Sequence, residues 1–289
     1  MNRLDLHVHT TYSDGSLPPA GVIALAQKAH VGALAITDHD TVDGIPEAIE
    51  AGSRLGIEII PGVEISSRLG RHELHILGYF LDWKDDTFSH HLNRLRATRH
   101  ERNPRILEKL QAAGIHITYE EVKHLAGTES VGRPHIARLL MEKGHVRTAK
   151  EAFDRYLGDG ALAYVPRELP APAEAIAMIR AARGVAVLAH PSWRDRSAGI
   201  YKICDQLKAE GLTCVEAYYS THRPEQTAQY LETARRLNLL VTGGSDFHGL
   251  TKPDIEVGIG RGHLKVPAEL LEPLREAAAA SARPAAHII

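Results

Sequence analysis

The chain has 289 residues, with 34 Lys and Arg against 36 Asp and Glu, a formal charge of −2. Hydrophobic residues at 44% and charged residues at 24% are ordinary globular values and exclude disorder and collagen-like repeats. No apolar run reaches the roughly 18 residues of a membrane span, and the first residues lack the basic-then-apolar order of a signal peptide. Cys204 and Cys214 are too few for a disulfide framework or a thiolate zinc site. The composition predicts a soluble, reduced, cytoplasmic protein. One count is unusual: 18 His stand beside only 4 Phe, 2 Trp and 9 Tyr. Histidine fills cores poorly and is the commonest metal ligand.

In chain order, a strand is predicted over 3–8, running into His7-Val8-His9. A helix over 19–30 follows, then a strand over 33–37 that leads into Asp38-His39-Asp40. A helix over 46–55 precedes a strand over 57–63 ending at Glu64, and the strand over 73–79 carries His75. Residues 88–167 break this rhythm and read as helical over 92–113, 119–125, 134–143 and 150–157. The alternation resumes with a helix over 172–183 and a strand over 185–189 ahead of His190. A strand over 213–217, a helix over 224–237, a strand over 240–243 and a helix over 267–280 complete the chain. Strands such as Ala33-Leu34-Ala35-Ile36 are apolar throughout, as in a parallel sheet covered on both faces. Prolines sit at or just before the first turns of the flanking helices. Seven strands alternating with helices predict an α/β fold, a distorted seven-stranded βα barrel with an inserted small helical domain. The barrel's first part spans 1–87, the inserted substrate-binding domain 88–167 and the barrel's second part 168–289. Residues 94–150 hold 12 Lys and Arg against 6 Asp and Glu, a net +6 that leaves −8 for the rest. A basic lobe facing an acidic body predicts metals in the body and an anionic substrate between the two.

The suspicious polar residues sort to the C-terminal ends of the strands, where barrel enzymes build their sites. They are His7, His9, Asp14, His39, Glu64, His75, His190, Asp246 and His248. In His7-Val8-His9 and Asp246-Phe247-His248, residues two apart project to one face of an extended segment. Nine donors exceed what one ion with an open position takes; they suit two or three ions sharing a bridging carboxylate. All are nitrogen or oxygen, which favours Mn²⁺ first and Zn²⁺ or Fe²⁺ next. Asp38 and Asp40 read as partners that orient imidazoles, and Glu73, with Arg71 nearby, as half of an ordinary ion pair.

His7-x-His9, Thr37-Asp38-His39-Asp40, Gly62-Val63-Glu64, Ala189-His190-Pro191 and Ser245-Asp246-x-His248 resemble, in order, the successive motifs of the PHP (polymerase and histidinol phosphatase) family. The resemblance covers roughly 1–83 and 184–250 and implies a metal-dependent phosphoesterase on a distorted seven-stranded barrel. It implies one metal on His7, His9, Glu64 and Asp246, a second sharing Glu64 with His75 and His190, and a third on Asp14, His39 and His248. Glu64, Asp246, His248, Asp14 and His39 are then the catalytic set. The run Ser130-Val131-Gly132-Arg133-Pro134-His135-Ile136-Ala137 resembles the branch that contains bacterial nucleoside 3′,5′-bisphosphate phosphatases and their exoribonuclease relatives.

Arg96, Arg99, Arg102 and Arg105 recur every third residue in the basic lobe. Of these, Arg99 and Arg102 are expected to bind substrate phosphate, together with Arg133 in its Gly-Arg-Pro loop. Asn103-Pro104 is expected to interrupt the helix there and free amides for an anion. Asn103, His135 and His222 complete the expected substrate contacts, and Trp193 and Tyr12 are candidates for stacking on a base. The expected function is release of the 3′-phosphate from a nucleoside 3′,5′-bisphosphate, leaving a nucleoside 5′-monophosphate, by a metal-activated water. The rivals are a 5′→3′ exonuclease on short RNA, which calls for more aromatic stacking residues, and a histidinol-phosphate phosphatase, which needs no second phosphate pocket. The expected partner is a small phosphorylated nucleotide, with no membrane and no stable nucleic-acid complex.

Overall fold

The computed structural model describes residues 3–70, 72–127, 130–191 and 199–281. Trp193 lies outside them. Seven strands form one sheet in sequence order: β1 (Arg3–Val8), β2 (Val31–Ile36), β3 (Glu58–Leu69), β4 (His72–Tyr79), β5 (Val185–Leu188), β6 (Cys214–Tyr219) and β7 (Leu240–Gly244). The sheet curls until its first and last strands meet. The Asp246 amide donates to the His7 carbonyl at 2.8 Å and the His9 amide to the Phe247 carbonyl at 2.9 Å. Gly244 permits this approach, because a Cβ there would lie 2.4 Å from His7. The buried Asp5 carboxylate accepts from the Ser245 amide at 2.8 Å and the Gly258 amide at 2.7 Å, tying β1 to the segments on either side of the seam. Its pKa is pushed up to about 6 by burial, which these donors only partly offset.

Within the barrel, strand alternation sends successive side chains to opposite layers. Ala33 and Ala35 of β2 and Val185 and Val187 of β5 face an inner cluster with Leu4, Ile60, Leu77 and Tyr79. Leu34 and Ile36, or Ala186 and Leu188, face outward instead, onto helices. Those helices are α1 (Pro19–Lys28) and α2 (Ile45–Leu55) on one side. On the other are α7 (Pro172–Ala181), α8 (Gly199–Ala209) and α9 (Pro224–Leu237). The bottom of the barrel is plugged by Leu264, Val266 and, from α10 (Leu271–Ser281), Leu271 and Leu274. Between β4 and α7 lie α3 (Asp86–Ala112), α4 (Tyr119–Ala126), α5 (Arg133–Glu142) and α6 (Ala149–Ala152), the last continued by a π turn through Leu157. These build their own apolar cluster around Ile106, Leu110, Val122, Ile136 and Leu140.

Three local expectations are corrected. The sheet is not parallel throughout, because β4 runs antiparallel to both β3 and β5. Only two residues separate β3 from β4, and a parallel return needs a crossover of a dozen or more. The resulting hairpin extends β3 to Leu69 instead of stopping near residue 63, and overhangs the rim. The helix over Asn103-Pro104 is not interrupted: α3 continues through Pro104, which is exposed, while Asn103 is buried. The helix α8 has no predicted counterpart, since it opens on Gly199 and lacks the proline that marked the others.

Candidate metal centre and anion pocket

Each metal-ligand candidate is placed by a strand end. His7 closes β1 and His9 follows it; Glu64 sits where β3 passes β2, its amide donating to the Asp38 carbonyl at 3.2 Å. The Asp40 amide donates back to the Glu64 carbonyl at 3.0 Å, so His39 is fixed against Glu64. His75 comes from the N-terminal half of β4, which the antiparallel turn carries to the same end as the C-termini of the others. Three residues at this end hold left-handed backbone that side chains normally avoid: Asp40 (φ 55°), His190 (φ 24°) and Asp246 (φ 57°).

The structure brings all nine candidates together. Glu64 is central. Its Oε2 lies 3.4 Å from His7 Nε2, 3.2 Å from His9 Nε2 and 3.1 Å from His39 Nδ1. Its Oε1 lies 2.8 Å from His75 Nδ1 and 2.9 Å from His190 Nε2. Asp246 Oδ1 is 3.3 Å from His9 Nε2, and Asp14 Oδ1 is 3.2 Å from His248 Nε2. The donor atoms fall into four overlapping groups, each within 4.8 Å. They are His9, Asp14, His39 and His248; His7, His9 and Asp246; His7, Glu64 and His190; and His39, Glu64 and His75.

Hydrogen bonds elsewhere on the rings aim these donors inward. His7 Nδ1 meets Glu216 Oε1 at 3.0 Å and His248 Nδ1 meets the Asp246 carbonyl at 2.8 Å. A proton on each Nδ1 leaves both Nε2 lone pairs facing the cluster. His39 Nδ1 is buried and makes no hydrogen bond despite its nearness to Glu64. His7 Nε2 and His9 Nε2 face each other at 3.1 Å. Divalent cations fit such a set of converging lone pairs and buried carboxylates better than protons do. The electrostatics point the same way. Burial opposes a charge on His75, yet Glu64 and Glu73 outweigh it and raise its pKa to about 10. Burial wins at His39, whose pKa falls to about 3.

Facing this rim across a cavity of about 700 Å³ are Arg99 and Arg102 on α3, Arg133 at the start of α5, and Arg167 in the segment before α7. Asp14, His39, His75 and His248 line the same cavity. Arg99 and Arg167 both reach Asp40 Oδ2, at 2.7 and 3.1 Å, and Arg133 reaches Glu73 Oε2 at 2.9 Å. Arg102 differs. It is 4% exposed, its Nε has no hydrogen-bond partner, and it contacts no carboxylate among the described ion pairs. Burial, with Arg133, Arg99 and Arg167 around it, pushes its pKa down to about 8.

Three expected substrate contacts do not line the cavity. Asn103 Nδ2 donates to the Val131 carbonyl at 2.7 Å, which fastens α3 to the loop before α5 and keeps the side chain off the cavity wall. His135 Nδ1 accepts from the Gly132 amide at 3.0 Å, capping α5 from its third position. His222 lies behind Tyr219, with ring centroids 5.0 Å apart and Nδ1 donating to the Ala217 carbonyl at 3.0 Å, and it does not line the cavity. Nor do Asp38 and Asp40 orient imidazoles directly. Asp38 accepts from Thr10 and Ser13, reaching His9 only through Ser13 Oγ, whereas Asp40 takes the arginines. Glu73 does form an ion pair, with Arg133, and its other oxygen lies 3.7 Å from His75 Nε2; Arg71 lies outside the described residues.

Sequence reading also missed four residues. Glu216 holds His7 and, through Oε2, the His190 amide at 2.6 Å; a lone carboxylate in an apolar strand was its signal. Tyr219 donates to Asp246 Oδ2 at 2.6 Å, and Lys252 pairs with the same oxygen. Arg167 closes the basic pocket from a segment with no helical pattern to place it.

The PHP domain model matches residues 5–159. The chain is 38% identical over 257 residues to the 5′-3′ exoribonuclease Rnm of Salmonella typhimurium, covering 88% of this chain and 87% of that one. It is 33% identical over 260 residues to the 3′,5′-nucleoside bisphosphate phosphatase of Chromobacterium violaceum, covering 89% and 91%. A solved structure described as an amidohydrolase from Chromobacterium violaceum, with bound sulfate and no metal, superposes with a TM-score of 0.86 at 31% identity, covering 95% and 96%. No helix among the described residues is long and apolar enough to cross a membrane.

Proposed function

The chain belongs to the PHP domain family, and as a metal-dependent phosphoesterase it is a hydrolase; from that premise we propose that it hydrolyses the 3′-phosphate of nucleoside 3′,5′-bisphosphates. The products are a nucleoside 5′-monophosphate and inorganic phosphate. Water supplies the oxygen to phosphorus, and its proton ends on the ribose 3′-oxygen as that P–O bond breaks.

The observation that carries this reading is the buried Arg102, which donates to Asn103 Oδ1 at 3.4 Å and meets no carboxylate among the described ion pairs. Among the described ion pairs, Arg99, Arg133 and Arg167 meet only Asp40 and Glu73 and Arg102 meets no carboxylate, leaving two positive charges on the four, which matches the charge of one phosphomonoester dianion. The pocket opens into the same cavity as the metal donors, so one nucleotide can present two phosphates at once. The family pattern implies the ligand sets His7, His9, Glu64 and Asp246; Glu64, His75 and His190; and Asp14, His39 and His248, and the same nine residues supply the overlapping donor groups described above, with His7, His9, His39 and Glu64 each in more than one. Two or three divalent ions held there, Mn²⁺ first by donor type, supply Lewis acidity and an acidified water. Glu64 keeps the donors in register by contacting five imidazoles, and Glu216 and the Asp246 carbonyl keep His7 and His248 in the right tautomers. Asp40 and Glu73 hold Arg99 and Arg133 in place before the 5′-phosphate arrives.

A second reading is supported by the relative named an exoribonuclease and by the size of the cavity, which exceeds one nucleotide. Cleavage of a 5′-phosphorylated RNA at its first linkage would use the same anion pocket and break the same 3′ P–O bond. Against it, three outer cations of the cavity, Arg138, Lys150 and Arg261, are each paired with a carboxylate. A histidinol-phosphate phosphatase would leave the arginine pocket without use. The test is product chromatography with adenosine 3′,5′-bisphosphate, adenosine 3′-phosphate and a 5′-phosphorylated oligoribonucleotide at equal concentration. The bisphosphate should have the highest kcat/KM. Equal turnover of adenosine 3′-phosphate would remove the two-phosphate reading, and a better oligomer would install the exonuclease.

A further inference from the structure

Four large apolar side chains stand out as exposed among the described residues: Ile49, Met141, Leu162 and Leu250, the last 65% exposed. Singly exposed leucines are common and need no explanation. Here two of the four, Met141 and Leu250, line one cavity, the one that holds the metal donors and the arginines. They come from different elements. Met141 is on the last turn of α5, and Leu250 is in the 3₁₀ turn Gly249–Thr251, which follows directly on His248.

Leu250 is held out by its surroundings. Its amide donates to Ser16 Oγ at 2.8 Å, and Thr251 Oγ1 donates to the Asp14 carbonyl at 3.1 Å. The turn is thereby tied to the loop that carries Asp14, and the side chain has no core to enter. Phe153 and Pro253 extend the apolar surface of the same cavity, and the Phe153 ring lies 5.8 Å from the Arg133 guanidinium. Of the polar groups nearby, Arg138 pairs with Glu142 at 3.0 Å, Arg261 with Asp254 at 2.6 Å, and Lys150 with Asp154, while Arg147 on the same wall is in none of the described ion pairs.

We propose that Leu250 and Met141, backed by Phe153, form an apolar cradle for the substrate's nucleobase, gripping its faces and leaving its hydrogen-bonding edge unread. The inference rests on the nucleotide reading above. A nucleoside with its 3′-phosphate at the rim and its 5′-phosphate on Arg102 has only its base left to place. Every base offers an apolar face, so a surface of this kind gives affinity without selecting among bases.

The experiment is calorimetric binding of adenosine 5′-phosphate, cytidine 5′-phosphate and ribose 5-phosphate to the wild-type chain, to Leu250→Ala and to Leu250→Ala/Met141→Ala. Both side chains are exposed, so melting temperatures should match the wild type. Wild type should bind the two nucleotides within a few-fold of each other and ribose 5-phosphate much more weakly. The double variant should lose about ten-fold for both nucleotides, the order expected for removing a small apolar contact, with ribose 5-phosphate unchanged. KM for bisphosphates should rise in parallel. An equal loss for ribose 5-phosphate, no loss at all, or strong preference for one base in the wild type would overturn the cradle. Failure of every bisphosphate to be hydrolysed would instead overturn the phosphatase reading, and the contrast between nucleotide and ribose phosphate would still decide the cradle.

Discussion

The two walls of the cavity are built by opposite means. On the barrel side, nine nitrogen and oxygen donors arrive from strand ends all around the ring, and hydrogen bonds within the barrel aim them. Left-handed backbone at His190 and Asp246 is tolerated because the closed barrel leaves those residues no alternative. On the insert side, four arginines come from two helices and one connecting segment, and carboxylates belonging to the barrel hold three of them. The rim is thus held by contacts within the barrel, whereas the arginine cluster is held by contacts between the barrel and the helical segment. Changes at the rim should abolish chemistry on every substrate. Changes in the pocket should remove the advantage of substrates with a second phosphate.

The largest effect belongs to Glu64. Replacing it with Gln removes a charge that five imidazoles share, so more than one metal site fails together. The expected outcome is a fall in kcat/KM of at least about 1,000-fold on bisphosphates and on a generic aryl phosphate alike, about 4 kcal/mol. Metal analysis of the reconstituted variant should show less than the wild-type stoichiometry. Glu216→Gln acts only through His7 and His190 and should cost about 10–100-fold. If the two variants were equally impaired, Glu64 would not be the bridge.

Next comes Arg102→Ala, which sharpens the contrast because two of its effects have opposite sign. With bisphosphates, loss of a buried charged donor should lower kcat/KM by a few hundred-fold, about 3 kcal/mol, and leave aryl phosphate hydrolysis within a few-fold of wild type. In the ligand-free protein the same change removes a buried, unpaired charge and should raise the melting temperature. A variant that is weaker on both substrates and also less stable would show that Arg102 supports the fold rather than the ligand.

The same division explains how much the sequence discloses. The strands, the barrel and the rim donors were legible because apolar runs mark strands and residues just past a strand end share one location. His75 was found despite a wrong assumption about strand direction, since an antiparallel strand brings its start to the rim that its neighbours reach with their ends. The pocket was legible only as charge. Arg99, Arg102 and Arg133 could be nominated from the basic lobe, but Arg167, Glu73 and Asp40 meet them through tertiary docking that no local pattern encodes. Asn103 and His135 stand off the cavity wall for a related reason. Both are polar residues near the arginines, and Asn103 Nδ2 and His135 Nδ1 bond the backbone of the loop that carries Arg133, while Asn103 Oδ1 accepts from Arg102 Nη2 at 3.4 Å.

Docking itself is tested by Asp40→Asn. This buried carboxylate holds Arg99 and Arg167 and accepts from the Ser66 amide at 3.0 Å. Removing its charge strands two largely buried guanidinium groups and should cost about 3–5 kcal/mol in urea unfolding. The Arg96–Asp43 pair links the same two regions at the exposed edge, and Asp43→Asn should cost less than about 1 kcal/mol. Equal costs would mean that the insert is held by its apolar contacts alone.

The last effect is a pH dependence at His135. Burial lowers its pKa to about 4, and Nδ1 must stay unprotonated to accept from the Gly132 amide. Against an unfolded value near 6.5, the unfolded chain carries a proton between about pH 6.5 and 4 that the folded chain lacks. Stability must therefore fall as pH drops through that window, by at most about 3 kcal/mol, and be fully present above it. Gln at the third position of a helix can accept the same bond without titrating. His135→Gln should match the wild type in urea unfolding at pH 7.5 and become progressively the more stable of the two towards pH 4.5. The rim histidines are common to both chains, so their contribution cancels in the difference. The loop fixed by this bond carries Arg133, so wild-type affinity for a phosphate dianion should weaken over the same interval more than that of the variant. Parallel pH profiles for the two proteins would place the titration elsewhere and leave His135 as a neutral filler of the cap.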